Sequence, residues 1–351
     1  MKKTKAFLKQ FGGKVNPELQ IEYSVSPNWK KDKFVNLEET KMEFSIHSMP
    51  KLLYKQFFEK EGREPISPLP IKSFDRKTFL APSDKPKFIW YGHSVLLMRW
   101  NGKTILMDPM LGPNASPIAP FATKRFAENT LQLIDEFPDI DLALMTHDHY
   151  DHLDLQSIEN LKSKTKKWYV AIGVKRHLTA WGIDDSAVRE FDWYDEDTFE
   201  GIDFTFTPSR HFSGRGLTDR AKSLWGGWVM KSHNANIYWS GDGGYGDHFK
   251  TIGKKYGPFD FGFIECGQYN ENWHQIHMYP EEAVQAALDA GVKTSMPVHW
   301  CGFALAQHSW KEPANRFVAE ANKLNLNSCT PNLGELFTVD SLCTPWWDSF
   351  E

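Results

Sequence analysis

The sequence predicts an α/β fold, and three observations carry that prediction. From about residue 85 onward, short apolar runs alternate with helix-patterned segments. One β-hairpin is spelled out by its turn, Asn101-Gly102. Four groups of polar residues, each able to bind a metal, follow directly on strand-like runs, so one sheet edge gathers them.

In chain order, residues 1 to 48 are polar and weakly patterned and read as an extended or partly ordered arm. Pro50 to Glu61 places Leu52, Leu53, Phe57 and Phe58 at helical spacing, which predicts a short amphipathic helix. The proline-containing stretch Arg63 to Pro70 breaks it. Such a helix most often packs on its own domain, and peripheral contact with a membrane surface is the minority reading. Val95 to Trp100 and Thr104 to Met107 are the hairpin strands, the second ended by Asp108-Pro109. Leu111 to Thr123, rich in Pro and Ala, is a loop, and Thr130 to Phe137 a helix. Asp141 to Met145 is a strand, Leu153 to Ser163 a helix, and Glu281 to Ala290 a helix started by Pro280. The expected division is an arm with its helix (1–84) packing on a main domain (85–340), followed by a short tail (341–351).

With 351 residues the chain is long enough to bury a sizeable core. Hydrophobic content of 41% and charged content of 25% are ordinary for a globular protein. The net charge of −4 argues against a nucleic-acid partner, which calls for a basic domain or patch. Fourteen Trp and 25 Phe supply core, with some available to line an apolar pocket. Cys266, Cys301, Cys329 and Cys343 show no CxxC spacing and no disulfide framework, so they read as buried thiols of a reducing compartment. The N-terminal segment has no apolar h-region and no stretch reaches the length of a membrane span, so the expected location is cytoplasmic.

The densest signal is Met145-Thr146-His147-Asp148-His149-Tyr150-Asp151-His152, immediately after the apolar run Leu142 to Met145. Zinc accepts neutral imidazole nitrogen and carboxylate oxygen, and catalytic sites leave one position open for water. Two histidines one residue apart can place their rings on one side of an extended turn, while Asp151 and His152, one bend later, can serve a second metal. A polar loop that merely contains histidine is the bland alternative, and the strand-to-loop context disfavours it. His211 follows Phe204-Thr205-Phe206, Asp242 follows Ile237-Tyr238-Trp239, and His299 follows Met296-Pro297-Val298. Gly241, Gly243 and Gly244 leave little bulk around the Asp242 carboxylate. Alone, each of these residues is more often a local hydrogen-bonding group; with the cluster they read as one site.

The order His-x-His-x-Asp-His, a distant His, an Asp after a strand and a last His resembles the metallo-β-lactamase fold. More narrowly, the chain resembles the branch of the N-acyl-phosphatidylethanolamine-hydrolysing phospholipase D and its bacterial relatives. Trp90 to Ser94, Met107 to Pro109, Thr146 to Asp154, His211 to Arg215, Leu224 to Trp228, Ser240 to Tyr245, His277 to Ala283 and His299 to Ala306 carry the likeness. It covers about residues 85 to 340. The resemblance implies a four-layer αββα sandwich. It implies one zinc on His147, His149 and His211, a second on Asp151, His152 and His299, and Asp242 as bridge. Two such ions about 4 Å apart activate a shared water without a nucleophilic side chain. Asp108 and His93 match positions beside the site, where orienting the ligands is the expected role and turn-capping or packing the alternative.

Asp151, a ligand as well, and His277 are the expected catalytic residues. With seven ligands already supplied, an eighth would close the open position, so His277 is expected to hydrogen-bond a phosphoryl oxygen or protonate the leaving alkoxide. His274 falls outside every motif. The implied activity is zinc-dependent hydrolysis of a phosphodiester, on a glycerophospholipid or a similar amphiphile. Hydrolysis of another ester or amide such as a lactone is the runner-up. A metal-binding scaffold without turnover is disfavoured by the complete ligand set, and a nuclease by the missing basic domain.

Overall fold

Strand alternation divides the second half of the chain between two cores. Along Gly227–Lys231, Asn236–Trp239 and Phe259–Glu265, the residues Trp228, Met230, Ile237, Trp239, Phe261 and Phe263 belong to one buried cluster. Their neighbours Val229, Tyr238 and Ile264 belong to another. Successive side chains of a strand point to opposite faces, so this sheet is covered on both sides. The computed structural model that gives this description covers residues 7–42, 54, 58, 61–116 and 123–351.

The described elements begin with helix α1 (Pro17–Tyr23), the small hairpin β1 (Trp29–Lys30) and β2 (Lys33–Phe34), and helix α2 (Arg76–Leu80). Then follow β3 (Lys87–Trp90), β4 (Leu96–Trp100), β5 (Lys103–Met107), α3 (Leu133–Glu136), β6 (Leu142–Leu144), α4 (Leu155–Leu161), β7 (Trp168–Ala171), α5 (Lys175–Ala180) and β8 (Val188–Phe191). The second sheet comprises β9 (Glu196–Phe199), β10 (Ile202–Thr207), β11 (Gly227–Lys231), β12 (Asn236–Trp239), β13 (Phe259–Glu265), β14 (Val292–Val298) and β15 (Asn327–Ser328), interspersed with α6 (His248–Tyr256), α7 (Pro280–Asp289) and α8 (Glu312–Lys323). The last strand, β16 (Leu336–Thr338), returns to the first sheet, whose order is β16-β3-β4-β5-β6-β7-β8, against β15-β14-β13-β12-β11-β10-β9 in the second. Each sheet is antiparallel in one half and parallel in the other: β5 to β8 and β12 to β15 run parallel.

The sheets face one another through aromatic rings. Phe88 of β3 lies 5.4 Å from Phe263 and 6.0 Å from Phe261 of β13, and Tyr169 of β7 lies 6.4 Å from Trp228 of β11. Helices α6, α7 and α8 cover the outer face of the second sheet with Phe249, Ile252, Val284, Ala287, Phe317 and Ala321. Ile134, Ile158, Leu161 and Leu178 of α3, α4 and α5 join the first sheet's core. Helix, sheet, sheet and helix are the four expected layers.

The hairpin forms at Asn101-Gly102, both with positive φ (47° and 71°), as a type I′ turn requires. The segment Thr130 to Phe137 splits into a tighter turn over Thr130–Gln132 and α3. Most of the predicted Pro50–Glu61 helix and part of the Leu111–Thr123 loop lie outside the described residues; Tyr54 and Phe58 are helical and exposed. Among the described residues no helix is long and apolar enough to cross a membrane.

Residues 7–42 are packed onto the main domain. Tyr23 and Phe34 are buried, the Phe34 N–H donates to Ala221 O at 2.9 Å, and Trp181 donates to Lys9 O at 2.7 Å. At the other end Trp347 is buried, its ring edge-on to Trp300 at 5.3 Å. The reading of four free thiols is corrected: Cys329 and Cys343 form a disulfide with a Cα–Cα distance of 4.8 Å, and Cys266 and Cys301 are free and buried. The chain leaves β15, completes β16 and turns back to bring Cys343 beside Cys329, a tertiary return with no spacing signature.

Candidate metal centre

The parallel halves of the two sheets end side by side, and their carboxyl ends deliver the site. In the first sheet Met107 of β5 pairs with Leu144 of β6, so the next residues, Asp108 and the cluster after Met145, emerge together. In the second, Trp239, Phe263 and Met296 are in register, so Asp242, Glu265 and His299 leave one edge together. Crevices beyond the carboxyl ends of parallel strands are where open α/β sheets bind ligands. The turns are tight: His93, Asp108 and His299 have φ of 54°, 38° and 68°. Non-glycine residues in this region cost free energy and cluster at functional sites. Gly241 (φ 64°) approaches Gly226 so closely that a Cβ would sit 2.1 Å from its carbonyl oxygen.

All seven predicted ligands converge. His147, His149 and His211 offer one nitrogen each within 4.8 Å of one another, with His149 Nδ1 2.9 Å from His147 Nε2 and 3.2 Å from His211 Nε2. On the other side, Asp151 Oδ2 lies 3.2 Å from His299 Nε2 and 3.7 Å from His152 Nε2. Asp242 stands between: its Oδ2 is 3.0 Å from His152 Nε2, 2.9 Å from His299 Nε2, and 3.9 Å from both His147 Nε2 and His211 Nε2.

The electrostatics suit a cation. Burial pushes His147 and His211 well below the usual histidine range and His149 down to about 4, leaving neutral imidazoles able to ligate. Burial also opposes charge on His152, but the carboxylates of Asp242, Asp151 and Asp108 outweigh it and lift the ring to about 10. His299 is raised in the same way, burial being outweighed by Asp242, Asp151 and Glu265. In the metal-free chain, protons on His152 and His299 thus neutralise buried carboxylates, which are expensive unpaired. Imidazole nitrogens and carboxylate oxygens with this surplus of negative charge fit a divalent metal such as zinc.

The supporting shell has three parts. Asp108 accepts from Thr146 N (2.8 Å) and Thr146 Oγ1 (2.7 Å) and lies 2.9 Å from His152 Nδ1. His93 Nε2 is 2.9 Å from Asp151 Oδ2. Asp148, the spacer between the first two histidines, is buried and accepts from Gly214 N (2.8 Å) and Ser223 Oγ (2.5 Å), with His177 Nε2 3.2 Å away. It ties the cluster to the loop that follows His211.

His277 reaches the site: it offers an atom within 4.8 Å of His211 and Asp242, and its side chain is 13% exposed. His274 belongs to no such group and bonds Glu271 O locally. Arg215, the cation nearest the motifs in sequence, is buried and donates to Asp148 O, Leu153 O and Gln10 O, with its guanidinium over the Tyr150 ring. It braces the loop. Cys301 joins no ligand group among the described residues.

Two residues escaped the sequence reading. Glu265, fully buried at the end of β13, lies 3.2 Å from His277 Nδ1 and 3.3 Å from His299 Nδ1; its signal is a lone carboxylate closing the apolar run Phe261 to Ile264. Asn36, in the polar arm, donates to His211 O (2.8 Å) and accepts from His211 N (3.1 Å), and nothing in its surroundings in sequence marks it.

Known proteins share this fold. The sequence-family model described as "Beta-lactamase superfamily domain" matches residues 103–300. An uncharacterized protein of Mycobacterium tuberculosis (strain ATCC 25618 / H37Rv) is 33% identical over 92% of this chain and 87% of its own length. The N-acyl-phosphatidylethanolamine-hydrolyzing phospholipase D 1 of Caenorhabditis elegans is 33% identical over 60% of this chain, a match spanning 62% of that relative. Among solved structures, a metallo hydrolase from the archaeon Ignicoccus hospitalis shares the fold with a TM-score of 0.56 at 20% identity, covering 72% of this chain and 98% of its own.

Proposed function

The chain belongs to the β-lactamase superfamily, and from that premise we propose that it is a binuclear zinc phosphodiesterase acting on a glycerophospholipid, of the kind named for its nematode relative. The observation that carries the reading is the position of Asp242. One carboxylate oxygen lies within 3.9 Å of four imidazole nitrogens that belong to two ligand sets. In this reading His147, His149 and His211 would hold one zinc and Asp151, His152 and His299 the other, and Asp242 would be shared between them. A bound pair of such ions lowers the pKa of a water towards neutrality and neutralises charge building on a phosphoryl group.

The chain's own groups do the rest. Asp108 turns His152 so that Nε2 faces the bridge, and His93 buttresses Asp151. Asp151, so held, would serve catalysis as well as ligation. His277, on the rim and half a step from the ligands, acts on the substrate. A cleft of about 560 Å³ opens beside His211 between the arm and the main domain, with Leu37, Met42, Phe212 and Ile276 in its wall, and this supports an amphiphilic substrate. Commitment of Arg215 to backbone carbonyls supports a diester over a monoester, because the extra charge of a monoester calls for further cationic groups.

The deciding experiment is hydrolysis by zinc-loaded protein of a panel of phosphodiesters, phosphomonoesters, lactones and β-lactams. Diesters are expected to turn over fastest, with a long-chain phospholipid more efficient than a short-chain analogue. Comparable or faster turnover of a matched monoester, or of a lactone, overturns the reading.

A further inference from the structure

Glu265 has a peculiar set of partners. It is the last residue of β13 and fully buried. Its carboxylate is pinned by the backbone on both sides of the loop it begins: Oε1 accepts from Gly267 N at 3.1 Å and Oε2 from Met278 N at 3.0 Å. So anchored, Oε1 lies 3.2 Å from Nδ1 of His277 and 3.3 Å from Nδ1 of His299. The two imidazoles are nearly parallel, their planes 10° apart and their centroids separated by 5.1 Å. Only the contact with His277 has hydrogen-bond geometry: His299 Nδ1 has no hydrogen-bond partner among the described residues.

An ionised carboxylate accepts and cannot donate, so a ring nitrogen bonded to it must carry the proton. We propose that Glu265 is a positioning residue that holds His277 in the Nδ1–H tautomer. The consequence is chemical: with the proton on Nδ1, Nε2 is left as a proton acceptor, whereas donation to a phosphoryl oxygen would need Nε2–H.

This inference rests on the phosphodiesterase reading for its chemistry and deepens it. In the hydrolytic step, Nε2 of His277 takes the proton of the attacking water as its oxygen bonds to phosphorus. The ester P–O bond breaks, and the same proton passes to the leaving alkoxide, returning the imidazole to its starting state. Throughout, the Nδ1 proton stays on His277, and Glu265 stabilises the transient imidazolium as a carboxylate does behind a catalytic histidine. One carboxylate therefore sets the base.

The test is a long-range 1H–15N correlation spectrum of zinc-loaded protein carrying 15N-histidine, with His277 assigned by its absence in His277→Gln. The expected result is Nδ1–H for His277 in the wild type and in Glu265→Gln, which keeps an acceptor oxygen. Glu265→Leu should shift His277 toward Nε2–H, and kcat should fall by about 10- to 100-fold with little change in KM, the usual scale for an outer-shell partner. An Nε2–H tautomer in the wild type, or an unchanged Nδ1–H in Glu265→Leu, overturns the proposal. If Glu265→Leu does not fold, the wild-type spectrum decides alone. An Nδ1–H spectrum from a protein inactive on every diester would leave this assignment standing and remove the phosphodiesterase reading.

Discussion

The carboxylate of Asp108 stands 2.9 Å from Nδ1 of His152, while Asp242 lies 3.0 Å from Nε2 on the far edge of the same ring. His152 is thus held between two buried acids, one braced by the peptide and hydroxyl of Thr146 and the other free to serve a metal. Asp108→Ala is expected to lower metal affinity or activity by about 10- to 100-fold. Chelator competition measures it, and unchanged affinity would reduce Asp108 to a turn cap.

The arm predicts a second effect. Asn36 bonds the backbone of His211 in both directions and also accepts from Trp225 Nε1 at 3.0 Å. Asn36→Ala leaves the His211 N–H without its acceptor, at a cost of about 1–3 kcal/mol while it stays out of water, whereas the Trp225 indole keeps Ser209 O at 3.2 Å. Thermal unfolding should fall accordingly, and the zinc on the His211 side should be lost first during dialysis against chelator. Loss of both metals in step would contradict the local role.

A third expectation concerns protons. In the metal-free chain His152 is lifted to about 10 and His299 is raised as well, so both are protonated at pH 7, whereas His147, His149 and His211 are neutral there. Zinc needs deprotonated rings, so loading at pH 7 should release about two protons. Because the raised groups lose their protons as pH rises, affinity should increase from pH 6 to 9. Calorimetry in buffers of different ionisation enthalpy counts the protons; a count of zero contradicts the charge balance described above.

His277 and His274 form a matched pair three residues apart in sequence. His277→Ala should lower turnover on the order of a hundredfold, the scale for losing one acid–base group, with zinc content unchanged. His274→Ala should be nearly silent, since its ring contacts Glu271 O and stacks on Tyr279 at 6.4 Å and joins no group of candidate ligands among the described residues. Loss of metal in step with activity would make His277 a ligand.

Much of this architecture is legible in the chain because its signals are local. Asn101-Gly102 encodes its own turn, and Leu142 to Met145 followed by His147 announces a strand and what it delivers. The convergence of the candidate ligands is legible too, because the dense cluster and the later His and Asp residues all follow strand-like runs. What stays hidden is set by tertiary pairing. Glu265 looks like a stray charge until the β12–β13–β14 register brings His299 beside it. Asn36 and Cys343 are ordinary polar-arm and tail residues until distant segments fold back on His211 and Cys329. Arg215 looks available because sequence does not reveal that three carbonyls already claim it.

The central claim is a pair of metals joined through Asp242, and metal analysis of purified protein after zinc reconstitution tests it most directly. The account predicts two zinc ions per chain in the wild type, weakened binding of both in Asp242→Ala, and loss of mainly one in His211→Ala. A wild-type ratio of one or fewer would contradict it.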